Sequence, residues 1–205
     1  MAEVDGAPDR SKRGESTPAI GSVRWKDFDL RRAARLAAST FVLMTASYYL
    51  VVGLDNVSNP SSNWAYVVGV ISGDGVPADS GFEWRFIDAT WFHALVYAII
   101  IAGELAAGGV LACSAVAGFR RTRSSADWAD AQRGAILGCL IGLAVFFVGF
   151  IVIGGNWWVM YMNQNWNGLT AAFQNSVMTA LTLIVVLVVA AGDGLANRSA
   201  SEALN

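Results

Sequence analysis

The chain has 205 residues, of which 55% are hydrophobic and only 15% charged, with a formal net charge of -2. A soluble domain usually carries about a quarter charged residues, and here the deficit is gathered into long apolar runs, which excludes a water-soluble globular fold for most of the chain. The net charge itself means little until each charge is assigned to a side of the membrane, and no nucleic-acid partner is expected.

Residues 1–22 are polar, with Pro, Gly, Ser and charges of both signs. They lack the apolar core and small-residue cleavage site of a secretory signal and read as a disordered cytoplasmic tail. The stretch from Val23 to Arg35 mixes basic residues with Trp25, Phe28 and Leu30. It is either a surface-lying amphipathic lead-in to the membrane or a frayed helix start.

A spanning helix needs roughly 20 apolar residues. The stretches that meet this requirement are 36–54, 91–119, 134–158 and 169–191. The expected fold class is all-α: a polytopic membrane protein with a four-transmembrane-helix bundle in a membrane domain over 23–193, a cytoplasmic tail over 194–205 and an outer loop over 55–90. Orientation follows from Lys and Arg. Eight of them precede the first span, Arg120, Arg121, Arg123 and Arg133 lie between the second and third, and Arg198 follows the fourth; only Arg85 falls on the other side. Both termini are therefore expected in the cytoplasm, with the protein multi-pass in the plasma (inner) membrane.

The two outer segments differ. The first is long and acidic, with Asp55, Asp74, Asp79, Glu83 and Asp88 against Arg85, whereas the second, from Met160 to Gly168, is short and uncharged. Six of the eight tryptophans (Trp64, Trp84, Trp91, Trp157, Trp158 and Trp166) fall on or near this side. Such rings suit the headgroup level, and Trp157, Trp158, Trp166 and Asn167 are the residues expected at an outer belt or partner surface.

Helices in lipid associate by close packing and hydrogen bonds. The third span opens with Gly134, Gly138 and Gly142 on one face, and the second carries Ala94, Ala98, Ala102 and Ala106 at steps of four. These small stripes predict a tight antiparallel pair of neighbouring helices; the other use of such faces is an oligomer interface.

Glu104 is the charged residue inside the spans, near the middle of the second. An ionised carboxylate there costs several kcal/mol, so it must be protonated, paired or hydrated. It is either part of a functional site or a hydrogen-bonded strut to a neighbouring helix. His93 lies about 20° away in rotation and about 16 Å along the helix axis, so the two cannot ligate one ion. They could form two stations of a water or proton path, or His93 could be satisfied by the outer loop. Asn156, Gln174 and Asn175 are weaker polar candidates.

The inventory for cofactor chemistry is thin. One histidine and two separated cysteines, Cys113 and Cys139, offer no zinc spacing, and haem ligation by two histidines within the chain is impossible. Met160 and Met162 could supply thioethers to copper(I) or haem iron, but methionine in a membrane loop is ordinarily packing. There is no phosphate-binding glycine loop, nucleophile elbow or metalloprotease motif. No cofactor is expected from this chain alone.

Several patches together resemble a bacterial family of predicted small integral membrane proteins. They are Ser62-Asn63-Trp64, Asp74, Trp84-Arg85, the segment from Ala98 to Glu104, Gly149-Phe150, the segment from Gly154 to Met160, Trp166-Asn167-Gly168 and Ala171-Ala172-Phe173. The likeness covers about Ala37 to Ala190. It implies four helices and no assigned molecular function. This chain departs from the family pattern at Asn156, where an acidic residue is usual, and at Trp158 and Met162 or Asn163, where Phe and Gln are usual.

Two functional expectations follow. One is a non-catalytic accessory or structural subunit of a larger bacterial membrane complex, respiratory or oxidative, with other subunits or copies of itself as partners in the lipid bilayer. The other is an oligomeric small-solute or proton transporter or channel using Glu104 and His93. A quinone- or haem-associated enzyme subunit would need ligands from another chain.

Overall fold

The computed structural model describes residues 29–202; the tail expected over 1–22 and the segment 23–28 ahead of the first span lie outside them. Helix α1 (Leu30–Ser58) starts where the Asp29 carboxylate accepts the Arg31 and Arg32 amides, both at 3.1 Å. That bond satisfies amides that the first turn leaves without a partner. The stretch from Leu30 to Arg35 is thus the opening of the first long helix.

The segment 55–90, expected as an outer loop, is not a plain loop. α1 runs on to Ser58, and α2 (Pro60–Ser72) follows after Asn59 alone. Proline at the first helical position costs no hydrogen bond there. α2 ends on Gly73 at φ 73°, in the left-handed region, with the Phe86 ring against its α-carbon. A 3-10 turn (Glu83–Arg85) then leads to α3 (Thr90–Arg120).

α4 (Ser125–Leu143) begins well before Gly134, on a Ser124 cap that accepts the Asp127 amide at 3.3 Å. Its early turns are amphipathic rather than uniformly apolar, and Trp128 is fully buried. The helix continues unbroken as a π-helix (Ala144–Trp157), closed by the Trp158 amide donating to the Ile153 carbonyl five residues back at 3.1 Å. Helix α5 (Leu169–Glu202) runs past Ala191, so the segment expected as a tail from 194 is helical to Glu202.

Among the described residues, four helical stretches are long and apolar enough to cross a membrane: Leu30–Ser58, Thr90–Arg120, Ser125–Trp157 and Leu169–Asn197. Among the described residues there is no strand. The start of α1, the α3–α4 turn and the end of α5 meet at one end of the bundle, here the arginine end. α2, the Glu83–Arg85 turn, a second 3-10 turn (Met160–Met162) and most tryptophans form the other, here the tryptophan end.

The main core joins Val42, Ala46 and Tyr49 of α1 to Ala107, Leu111 and Ala115 of α3 and Ala135 and Cys139 of α4. α1 and α3 approach through reciprocal gaps, with Leu105 over Gly53 and Leu50 over Gly108. The glycine face of α4 is spent inside the chain. Gly134 meets Ser114, a Cβ on Gly138 would stand 3.2 Å from the Ala107 carbonyl, and Gly142 accommodates the Tyr49 hydroxyl.

The alanine stripe behaves otherwise. Ala98, Ala102 and Ala106 are exposed, and α3 turns Glu104, Ala107, Gly108, Leu111 and Ala115 inward instead. Small side chains permit close approach without compelling it, and burying Glu104 fixes which face of α3 points in. Cys113 is exposed while Cys139 is buried, and both are free thiols.

Polar links stitch α1 to α5. Thr45 and Thr182 hydroxyls lie 2.7 Å apart, and Tyr49 meets Thr179 at 2.8 Å. At the arginine end, Arg35 grips Asp193 through Nε at 2.7 Å and a terminal nitrogen at 2.9 Å, and donates to the Thr122 carbonyl at 2.9 Å. One buried guanidinium thereby ties the first helix, the last helix and the α3–α4 turn.

A second core closes the tryptophan end. Val67, Val70 and Ile71 of α2 pack with Trp158 and Met160. Val159 between them is buried in the left-handed region at φ 45°. That conformation costs a β-branched residue roughly 1–2 kcal/mol, offset by burial of the side chains it turns inward.

Candidate functional site

The site is centred on Glu104, buried at mid-helix in α3. Its Oε2 accepts a hydrogen bond from Asn56 Nδ2 of α1 at 2.6 Å. Asn56 is 5% exposed, and its Oδ1 has no partner among the described residues. The Asn56 amide thus bonds Glu104 through one end and keeps the other end free.

Tyr97, two turns before Glu104 on α3, donates from its hydroxyl to the Asn56 backbone carbonyl at 2.8 Å. Trp64 of α2 stands edge-on to Tyr97 and to His93, with ring centroids 5.8 and 6.4 Å apart. Glu104 and Asn56 lie on the wall of a cavity of about 200 Å³, completed by Tyr48, Tyr97, Phe146, Phe150 and Asn175 among others. Helices α1, α3 and α5, the π-helix and α2 all contribute to it.

Beside it lies a larger apolar groove of about 450 Å³ between α3 and the π-helix. The two helices are in close contact along α4 but part beyond Leu143, where α3 and the π-helix touch little. Gly103, Gly149 and Gly154 on its walls have no side chain to fill the gap. Tyr66, Val67, Ile100 and Phe150 line both spaces.

The other polar residues singled out in the sequence do not join Glu104. His93 Nε2 pairs with the Ile87 carbonyl at 2.7 Å, so the outer segment satisfies it. Asn156 donates back to the Ile151 carbonyl at 3.0 Å, within its own helix, and is exposed. Asn175 does reach the cavity wall. Asp55 marks the end of the first apolar run in the sequence, but the helix runs one turn further and carries Asn56 inward.

The four outer residues divide. Trp158 is not on the surface: it is 9% exposed and packs against Phe92. Trp166 bonds Asp74 at 3.2 Å and stands edge-on to Tyr66, so it closes the end of the bundle. The Asn167 side-chain oxygen Oδ1 caps α5 by accepting from the Leu169 amide at 3.2 Å. Trp157 remains half exposed beside Trp84, with the Arg85 guanidinium 5.0 Å from each ring. Nearby, Glu83 accepts from the Gly81 amide and the Ser80 hydroxyl. Backbone hydrogen bonds, its own amide's foremost, hold its carboxyl below the usual range.

Among the described residues, no three His, Cys, Asp or Glu side chains gather as a metal site. What the Glu104 cavity offers is one carboxyl, one half-used amide and several phenol and phenyl rings, in an apolar surround.

Four apolar helices packed through glycines and hydroxyls, with a carboxyl buried between them, define a polytopic helical integral membrane protein. The chain belongs to the DUF2165 family of predicted small integral membrane proteins, which matches residues 34–189. The match takes in α1 from its first turns through most of α5, and so the whole Glu104 cavity. No curated protein and no solved structure matches the chain.

Proposed function

We propose that this protein is a non-catalytic accessory subunit of a larger bacterial membrane complex, and that its contribution is to hold a small molecule at the Glu104–Asn56 cavity. The observation that carries this reading is the Glu104–Asn56 bond on the wall of a void of about 200 Å³. A carboxyl used only as a strut would be expected in solid packing with its partner fully bonded. Here the partner amide has spare capacity and space beside it.

The transport reading relied on His93 as a second station. With His93 engaged by the Ile87 carbonyl, the arrangement favours holding a molecule over passing one. The exposed Ala98, Ala102 and Ala106 face of α3 would let a partner helix approach closely, as the subunit reading requires. The excess of arginines at one end supports an inner-membrane orientation with that end in the cytoplasm.

The test is mild extraction from native membranes, followed by mass spectrometry of both protein and non-protein components. We expect companion subunits and a retained small molecule. Asn56→Leu and Glu104→Leu should lose the molecule and keep the companions. Recovery of a bare homo-oligomer would overturn the subunit reading. An unchanged small-molecule content in both variants would overturn the cavity reading.

A further inference from the structure

We infer that the cavity takes a quinol or quinone carried on a hydrocarbon chain, the ring between Asn56, Glu104 and the aromatic walls and the chain in the apolar groove beside them. This inference rests on the cavity reading above and names its ligand.

The head is constrained first by charge. Glu104 is the one ionisable acid on the wall, and among the described residues no Lys, Arg or His lines the cavity. A phosphate or free carboxylate would sit beside a carboxyl with no cation to balance it, in surroundings where charge is costly. The head is therefore not anionic, and the apolar walls disfavour an ionised head of either sign, which leaves a neutral one. It must also hydrogen-bond, because Asn56 retains an unused donor or acceptor while being nine-tenths buried.

Its shape is constrained by the walls. Tyr48, Tyr97, Phe146 and Phe150 present rings to the space, and Phe146 and Phe150 lie 5.4 Å apart between centroids. Such walls favour a flat ring, stacked or edge-on. A flat neutral ring bearing hydroxyl or carbonyl oxygens meets all three demands. A quinol hydroxyl donates to one partner and accepts from the other, and a quinone carbonyl accepts from the Asn56 amide or from a protonated Glu104.

The chain is accommodated next door. The groove is lined by Val96, Ile99, Val145, Val148 and Ile153 and shares the Ile100 and Phe150 walls with the cavity. A chain leaving the ring past Ile100 and Phe150 enters a channel that opens between α3 and the π-helix. Only binding is proposed, so no electron or proton transfer is required of this chain.

The test uses the full-length protein in lipid nanodiscs, with a benzoquinol bearing a decyl chain as probe and isothermal titration as readout. Saturable binding is expected. Asn56→Leu and Glu104→Leu should each weaken it about tenfold, the worth of one hydrogen bond, while Glu104→Gln should stay within about threefold because the amide still bonds. Ile99 is 60% exposed on the groove, so Ile99→Trp fills the groove without touching the core. It should weaken the decyl probe and leave the chainless benzoquinol unaffected. Ile99→Trp and Glu104→Gln decide the matter even if the leucine variants fail to fold. No saturable binding, equal affinity in every folded variant, or equal displacement by decanol or decanoic acid would overturn the inference. A retained native molecule of another class overturns the quinol but leaves the cavity reading standing; retention of nothing overturns both.

Discussion

Arg35 shows how little a residue's sequence neighbourhood says about its work. In the sequence it is one of several arginines marking a membrane edge. In the fold it is 6% exposed and bonded to Asp193 and the Thr122 carbonyl. Removing one partner of such a pair leaves a buried charge uncompensated and typically costs about 3–5 kcal/mol. Arg35→Met and Asp193→Leu should each therefore lower the unfolding midpoint in detergent sharply. The double variant Arg35→Met with Asp193→Leu should recover most of the loss, because a well-packed apolar pair removes both desolvation costs. Additive losses in the double variant would show that the two side chains do not act as a unit.

At the scale of the helices, α4 is the informative case. Its glycine face fills against Ala107, Leu111 and Ser114 of α3 and Tyr49 of α1. Gly138→Leu must push α3 away, since the nearest obstacle includes the backbone carbonyl of Ala107 rather than only a flexible side chain. A cost of about 1–3 kcal/mol is expected from such overpacking. Leu140 on the opposite face is 52% exposed, and Leu140→Ala should change stability by less than about 0.5 kcal/mol. Unfolding of the two variants in the same detergent checks the contrast; equal midpoints would mean that the glycine face is not where the helices are held. The glycine pattern was legible because three glycines at steps of four leave a groove that only another backbone fits. The alanine pattern of α3 misled for a complementary reason: alanine is as comfortable against lipid as against a helix, so the burial of Glu104 decided the facing. The π-helix has no signal in apolar periodicity, since Ala144–Trp157 is apolar nearly all round. The groove it opens was therefore invisible before the structure. Glu104 itself was legible, because a lone carboxyl in a span needs a reason. Its partner Asn56 was not, because it sits just past an acidic residue that looked like the end of the helix.

For the molecule as a whole, the spans and their pairing leave one thing to measure directly, which side each end faces. Arg120, Arg121, Arg123 and Arg133 gather at the α3–α4 turn, where Asp130 stands 3.7 Å from Arg121 and 3.3 Å from Arg133. These are exposed pairs of little energetic weight. By the positive-inside rule that turn is expected in the cytoplasm and the α2 side outside. Ala78, between α2 and the Glu83–Arg85 turn, and Ala126, in the first turn of α4, are both exposed, so each will accept a cysteine without disturbing the packing. In intact cells a membrane-impermeant thiol reagent should modify Ala78→Cys and leave Ala126→Cys untouched until the membrane is opened. Native Cys139 is buried, and Cys113 lies on an exposed face within the α3 span, so neither should react before permeabilisation. Labelling of Ala126→Cys alone would invert the molecule and move the Trp84–Arg85–Trp157 cluster to the cytoplasmic face. Labelling of both positions in sealed cells would mean that the four helices do not all cross.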